Sequence, residues 1–285
     1  MQQDSIKQNK DKGLMALFVK IRTSLAEPRI QDIDLNSDEL LHVQRQMLSE
    51  KAMLRSVFDE FYHTCHKLDE KYLQGDGKRV ELGAGVSRLK ELYPDIITTD
   101  IKSGDHLDMV VDAQNMPFDD ETVRSLYAIN CFHHMPDPSQ FLRELERVLQ
   151  PGGGCIFIEP YYGPLASVAF KRLFDSETFD KNQESWKGED MSVMTGANQA
   201  LSYIVFERDK QKFAELFPHL EIVYRKTLSS TIRYFLSGGL NFKQLLPDSF
   251  IPIVKGIEAL LSPIESLFAM QYVMVLRKKG TKQEN

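Results

Sequence analysis

Between residues 81 and 159, four acids, two glycines and two adjacent histidines lie at or beside the ends of short apolar runs. Glu81 sits inside "RVELG", two residues before Gly83, and Gly83, Ala84 and Gly85 make a Gly-x-Gly turn directly after that run. Asp100, followed by Ile101, closes "DIITTD"; Asp112, followed by Ala113, closes "LDMVVD". Asn130 leads into "CFHHMPDP", which carries His133 and His134, and Glu159 ends a further run shortly before Tyr161 and Tyr162. A glycine turn after a strand lets backbone approach a ligand closely, and a helix starting there adds N–H donors and a positive dipole end. Carboxylates at strand ends accept hydrogen bonds from hydroxyl and amino groups. Histidine is the usual side chain for taking a proton near neutral pH.

Elements that would hold these residues follow from the spacing. From Lys78 to Glu159, short apolar strands ("RVELG", "DIITTDI", "LDMVVDA", "VRSLYAIN", "CIFIEP") alternate with helical segments ("SRLKELY", "PSQFLRELERVL"), the second of which is expected to end at Pro151-Gly-Gly-Gly. That rhythm predicts an α/β fold with a parallel sheet and helical crossovers, whose ligands sit beyond the carboxyl ends of the strands. Upstream, Asn36 and Glu39 read as a capping box. Apolar residues at Leu40, Val43, Met47, Leu54, Phe58, Phe61, Cys65 and Leu68 predict one long helix. Downstream, "KQKFAELFP" reads as a helix, and "LEIVYRKTLS" and "MQYVMVLRKK" as strands. The expected organisation is an N-terminal helical extension (1–75) and one domain (76–285). Its core is 78–160, and it carries insertions at 161–208 and 230–268.

Four residues narrow the ligand. A dinucleotide fingerprint would need a third glycine at position 88, which is Arg88. Glu81 beside the turn would repel a pyrophosphate and suits a ligand with a positive end, such as the amino group and sulfonium of S-adenosylmethionine. Asp100 is placed for the two ribose hydroxyls and Asp112 for an adenine amino group.

"ELGAGVS", Asp100, "DAQNMPF", "NCFHHMPDP" and "LQPGGG", in this order, resemble the class I S-adenosylmethionine-dependent methyltransferases, especially the group that includes quinone-biosynthesis enzymes. The resemblance covers roughly Lys78 to Glu159. It implies a Rossmann-like, seven-stranded, mostly parallel sheet with helices on both faces and the last strand antiparallel, so that 230–268 interrupts the final hairpin. It implies S-adenosyl-L-methionine as cofactor, with Gly83 and Gly85 at the methionine side, Asp100 on the ribose, Asp112 and Ala113 bordering the adenine, and Asn130 under the methionine and sulfonium. One departure is Ser87, where many members have another glycine; serine can cap the helix that follows.

Methyl transfer from a sulfonium is a direct displacement, so alignment supplies much of the rate. His133 and His134 are candidates for a base or acceptor contact; the alternative is that they cap a turn. Two adjacent histidines without further ligands nearby make a poor metal site, and no metal is expected. Glu159, Tyr161 and Tyr162 are candidate acceptor contacts. The 245–268 stretch has helical apolar spacing at Phe250, Ile253, Ile257, Leu260 and Leu261, which would cover the core, form a dimer face or dock at a membrane surface. With Lys255 set against Glu258 and Glu265, packing on the core is the favoured reading. The C-terminal part also weakly resembles bacterial methyltransferases of cell-surface polysaccharide synthesis, which implies a sugar or lipid-linked glycan acceptor and O-methylation.

The chain has 285 residues, 42% hydrophobic and 27% charged, enough for a sizeable core. A net charge of -6 disfavours a nucleic-acid partner, and "NCFH" lacks the N-P-P-[YF] signature of base amino methylation. Three scattered cysteines fit a reducing cytoplasm. There is no apolar run long enough to span a bilayer. The expectation is a cytoplasmic monomer or homodimer, with peripheral contact at the inner membrane face through 245–268 as the alternative to core packing. A methyltransferase-like binding module without catalysis and a nucleotide-dependent oxidoreductase are the alternatives.

Overall fold

A computed structural model describes residues 18–34, 37–174, 177–188 and 196–280. Seven strands form one sheet: β1 (Lys78–Leu82), β2 (Ile97–Asp100), β3 (Met109–Val110), β4 (Val123–Ile129), β5 (Leu149–Pro160), β6 (Leu220–Thr227) and β7 (Gln271–Lys278). Their order is β3-β2-β1-β4-β5-β7-β6. The first five pair parallel, and β7 runs antiparallel between β5 and β6. The parallel α/β core is the one expected from the alternation, and the antiparallel last strand, with the 230–268 segment between the final two strands, is what the resemblance implies.

Alternate residues of the central strands build two cores. Val80, Leu82, Leu126, Ala128, Cys155, Phe157, Met274 and Leu276 face one layer, which contains Phe141, Leu142 and Leu145 of a helix at Pro138–Val148. Tyr127, Ile156, Ile158, Val273 and Val275 face the other. That second layer is largely a helix at Ala52–Tyr72, through Leu54, Val57, Phe58, Phe61, Tyr62, Cys65 and Leu68. We label Asp38–Glu50 α1, Ala52–Tyr72 α2, Leu89–Leu92 α3 and Pro138–Val148 α4. Asp69 of α2, fully buried, accepts hydrogen bonds from Arg79 Nε (2.8 Å), Arg124 Nε (3.0 Å) and Tyr127 Oη (2.7 Å). The N-terminal helices therefore hold the sheet by apolar burial and by a satisfied buried carboxylate.

Several local expectations are corrected. The single long helix is two. Lys51 has ψ 91, outside the helical range. Its amine donates to the Gly239 and Phe242 carbonyls at 3.1 and 2.6 Å. Asp248 then caps α2, accepting from Met53 N at 2.9 Å and Ala52 N at 3.3 Å. Asn36 lies outside the described residues, and the side chain of Ser37 caps α1 through Leu40 N. The helix after β1 is a single turn, α3, so little dipole is available there. "LDMVVDA" pairs over only two residues. Pro151-Gly-Gly-Gly lies inside β5 rather than ending α4 as a loop. The β4–β5 register jumps from Val123↔Leu149 to Ser125↔Gly154, and a Cβ at Gly154 would come within 2.4 Å of the Leu276 carbonyl oxygen.

The largest correction concerns the C-terminal insertion. We label Pro164–Arg172 α5, Lys210–Leu216 α6, Thr231–Ser237 α7 and Ile251–Leu261 α8. Glu258 of α8 is buried and accepts from Arg233 of α7, whose side chain also pairs with Glu60. Glu265 is buried against Thr227, whose hydroxyl donates to it at 2.8 Å. Turning these acids inward turns the apolar stripe outward. Phe250, Ile253, Ile257 and Leu260 are exposed, Leu260 at 79%, and Leu261 is half-buried; Ile264 and Leu267 beyond them are exposed too. The stripe does not cover the core, because the buried guanidinium of Arg233 needs its carboxylates there.

Candidate active site

β1 to β5 are parallel and deliver their carboxyl ends to one edge of the sheet. The glycine turn, Asp100, Asp112, Asn130 and Glu159 all follow from that edge, as the sequence predicts. β6 also ends there and β7 begins there, so the whole 228–270 segment sits on the same side.

Gly83 has φ +62, and a Cβ on it would lie 2.5 Å from Cys131 Sγ; the turn after β1 and the loop after β4 touch because residue 83 has no side chain. Gly85 N donates to Asp100 Oδ2 at 2.8 Å, and Lys102 N donates to Oδ1 at 3.0 Å. His106 Nε2 lies 2.8 Å from the Gly85 carbonyl oxygen. The N-terminal helices clamp the far side of the turn: Tyr62 Oη accepts from Arg88 N at 3.2 Å, and Arg45 donates to Ser87 O at 2.9 Å. Ser87 Oγ accepts from Leu89 N at 3.0 Å, although the N-cap position of α3 is Arg88, one residue later.

Glu81 is the outlier. It is 2% exposed, and its Oε2 has no hydrogen-bond partner. Burial raises its pKa to about 8; the Asp100 charge adds to the rise, while Ser87 and Arg45 oppose it. A buried carboxyl with an open oxygen beside the glycine turn suits a ligand that brings a positive group or a donor.

Ile101 is 48% exposed, Ala113 half-buried and Asp112 exposed, its Oδ1 accepting from Gln114 N at 2.8 Å. Asn130 takes φ +50, and its Oδ1 accepts from Gln271 Nε2 at 3.0 Å, joining the β4 loop to the start of β7.

His133 is 4% exposed, with Nδ1 2.7 Å from Glu159 Oε2 and Nε2 3.3 Å from Glu177 Oε2. His134 Nε2 is 3.8 Å from Glu177 Oε1. Burial works to lower the His133 pKa, but Glu159 and then Glu177 outweigh it and hold the value at about 10. Burial likewise works against the Glu177 charge, and His133, His134 and Gln199 bring its pKa down to about 2. An imidazole flanked by carboxylates on both ring nitrogens offers no lone pair, so the base reading does not fit His133 in this arrangement. Glu159 is fully buried and does not line an acceptor surface. It accepts from Cys131 N (2.9 Å) and Phe132 N (2.7 Å) and so fixes the histidine loop.

Tyr161 and Tyr162 are half-buried, their ring centroids 4.6 Å apart. Tyr162 Oη donates to Glu207 Oε1 at 2.9 Å, and Lys181 Nζ lies over the Tyr162 and Tyr203 rings at 5.6 and 5.0 Å. Glu177, Lys181, Gln199, Tyr203 and Glu207 were not singled out from sequence. All come from the 161–208 segment, where no spacing repeats and no motif marks them.

Residues 83–157 match the family model described as a methyltransferase domain. The methyltransferase-domain match thus begins at the glycine turn and ends two residues before Glu159. Two curated proteins share short stretches with it. Methyltransferase GfsG of Streptomyces halstedii is 43% identical over 44 residues, 15% of this chain and 16% of that protein. Sarcosine/dimethylglycine N-methyltransferase of Halorhodospira halochloris is 43% identical over 58 residues, 20% of this chain and 21% of that protein. This chain therefore spans about a fifth or less of the length of the curated relatives it matches. Among solved structures, geranyl diphosphate C-methyltransferase from Streptomyces coelicolor is similar over 90% of this chain and 89% of its own, at 15% identity and a TM-score of 0.44.

Proposed function

We propose that this protein transfers a methyl group from S-adenosyl-L-methionine to a lipid-borne acceptor, such as a lipid-linked glycan, at the face of a membrane. The partnerless, buried Oε2 of Glu81 beside the glycine turn carries the cofactor reading, within the segment that matches the methyltransferase domain. When bound, S-adenosylmethionine supplies an electrophilic sulfonium methyl. Glu81 would hold its amino group, and Gly83, Ala84 and Gly85 would let the methionine end approach. Asp100 would accept from the ribose hydroxyls, with Ile101 beside it, and Asp112 and Ala113 would border the adenine. Asn130, at the start of the histidine loop, would face the methionine side. These residues bind and orient; alignment of acceptor oxygen, methyl and sulfur is the main contribution to rate.

The acceptor reading is supported by the outward stripe of α8. From residue 249 to 270 the acids are Glu258 and Glu265, both buried, and the one exposed charge is Lys255. An apolar face with a cation and no exposed anion suits the interface of an anionic bilayer. Leu165 and Val168 of α5, which follows β5 at the same sheet edge, are exposed as well. The proposed contact is peripheral, and no helix among the described residues is long and apolar enough to cross a membrane. Incubation with radiolabelled S-adenosylmethionine and a total cell extract tests this, followed by partition into lipid and aqueous phases. Label in the lipid phase is expected. Label confined to the aqueous phase overturns the lipid-borne acceptor, and cofactor binding with no transfer to either phase favours a catalytically silent binding module.

A further inference from the structure

We propose that His133, His134 and Glu177 form a binding site for one divalent transition-metal cation of the Zn2+ type. Each residue offers one ligand atom, and the three atoms lie within 4.8 Å of one another. The separations at Glu177 are 3.3 Å to His133 Nε2 and 3.8 Å to His134 Nε2. Ligands about 2.0–2.1 Å from a tetrahedral ion stand roughly 3.3–3.4 Å apart, so the Glu177 separations are near that spacing and the widest pair, within 4.8 Å, must close by up to about 1.5 Å. Two imidazoles and one carboxylate leave at least one position open, as in zinc sites that bind a water or a substrate.

The surroundings distinguish this cluster from a plain ion pair. Glu159 Oε2 lies 2.7 Å from His133 Nδ1, on the ring nitrogen away from Glu177. Nδ1 donates its proton to Glu159; an ion would take the place of the Nε2 proton that faces Glu177, and the freed Nε2 would then ligate it. Glu159 is itself fixed by the Cys131 and Phe132 amides. Gln199 Nε2 donates to Glu177 Oε2 at 3.1 Å, and Asn198 N donates to His133 O at 3.2 Å. A carboxylate behind a ligating histidine and a donor behind a ligating carboxylate are the supports that metal ligands carry. The ligands also come from two separate segments, the loop after β4 and the 161–208 insertion, so an ion would cross-link them. The use of such an ion rests on the methyl-transfer reading: its open position would orient an oxygen of the acceptor at the sheet edge where the donor residues lie.

The test is made on the full chain without donor or acceptor, so its result is readable even if S-adenosylmethionine does not bind. After treatment with a chelator, the protein is dialysed against Zn2+ and analysed for bound metal, and titrated in parallel with Co2+. One equivalent of Zn2+ per chain and visible d–d absorption from Co2+ are expected. His134→Ala should abolish both, Glu177→Gln should weaken binding at least tenfold, and Glu159→Gln, which acts through His133, should weaken it about 10–100-fold. Circular dichroism checks that each variant is folded. Sub-stoichiometric metal in the wild-type protein, or equal binding by wild type and folded His134→Ala, overturns the proposal and leaves an ion-pair cluster only.

Discussion

The backbone N–H of Gly85 donates to Oδ2 of Asp100 at 2.8 Å, which ties the turn after β1 to the end of β2. The carboxylate is thereby aimed before any ligand arrives. Each oxygen receives one backbone donor and keeps a second lone pair for a hydroxyl. Rigid positioning of this kind lowers the ordering cost of binding.

Beneath that turn, Gly83→Ala should be damaging even though it adds one carbon. The new Cβ would lie 2.5 Å from Cys131 Sγ at a φ of +62, so either the turn or the histidine loop must move. A loss of about 1–3 kcal/mol in urea unfolding is expected from the strain, with weaker cofactor binding. A variant as stable as wild type with unchanged affinity would show that the close contact is not needed.

Glu81 gives a pH signature. Its folded-state pKa lies near 8 against an ordinary value of 4.5. Between those values the folded chain holds a proton that the unfolded chain has lost. Stability from this group is thus fully present below pH 4.5, declines as pH rises and is lost above 8. A ligand ammonium group favours the ionised form, so cofactor binding should release a proton and tighten as pH rises toward 8. Calorimetry in buffers of differing ionisation enthalpy reads this directly. Glu81→Gln should bind more weakly and lose the pH trend; wild-type affinity independent of pH would contradict the role.

Strand positions were readable in the sequence as short apolar runs; both faces of β4, β5 and β7 meet an apolar layer, and β1 adds Val80 and Leu82 to one of them. The Gly-x-Gly turn and the acids after β2 and β3 were readable for a related reason: strand ends fix which edge a residue reaches. The inverted α8 was not. Periodicity says which residues share a face, not which face turns inward, and here Arg233 of another helix decides it. Glu177 was equally hidden, since it reaches His133 through chain folding rather than through spacing.

Arg233 should accordingly be among the most sensitive positions outside the site. Its side chain pairs with Glu258 and Glu60, and Arg233→Met would leave the buried Glu258 carboxylate unpaired. A loss of about 3–5 kcal/mol is expected in denaturant titration, partly recovered by adding Glu258→Leu. A loss below about 1 kcal/mol would mean the pair does not set the orientation of α8.

Exposed residues of the stripe should behave in the opposite way. Ile257 and Leu260 are 44% and 79% exposed, so Ile257→Glu with Leu260→Glu should change stability by no more than about 1 kcal/mol. Cosedimentation with phosphatidylglycerol-containing vesicles should fall at least tenfold. Equal sedimentation of variant and wild type would remove the membrane contact from the account.

The most direct test of the central claim is calorimetric titration of the chain with S-adenosylmethionine, wild type against Asp100→Ala. Saturable one-to-one binding by wild type and a loss of at least tenfold in the variant are predicted, about 1.4 kcal/mol or more for the lost hydroxyl contacts. No binding by folded wild-type protein, or equal binding by both, would contradict it.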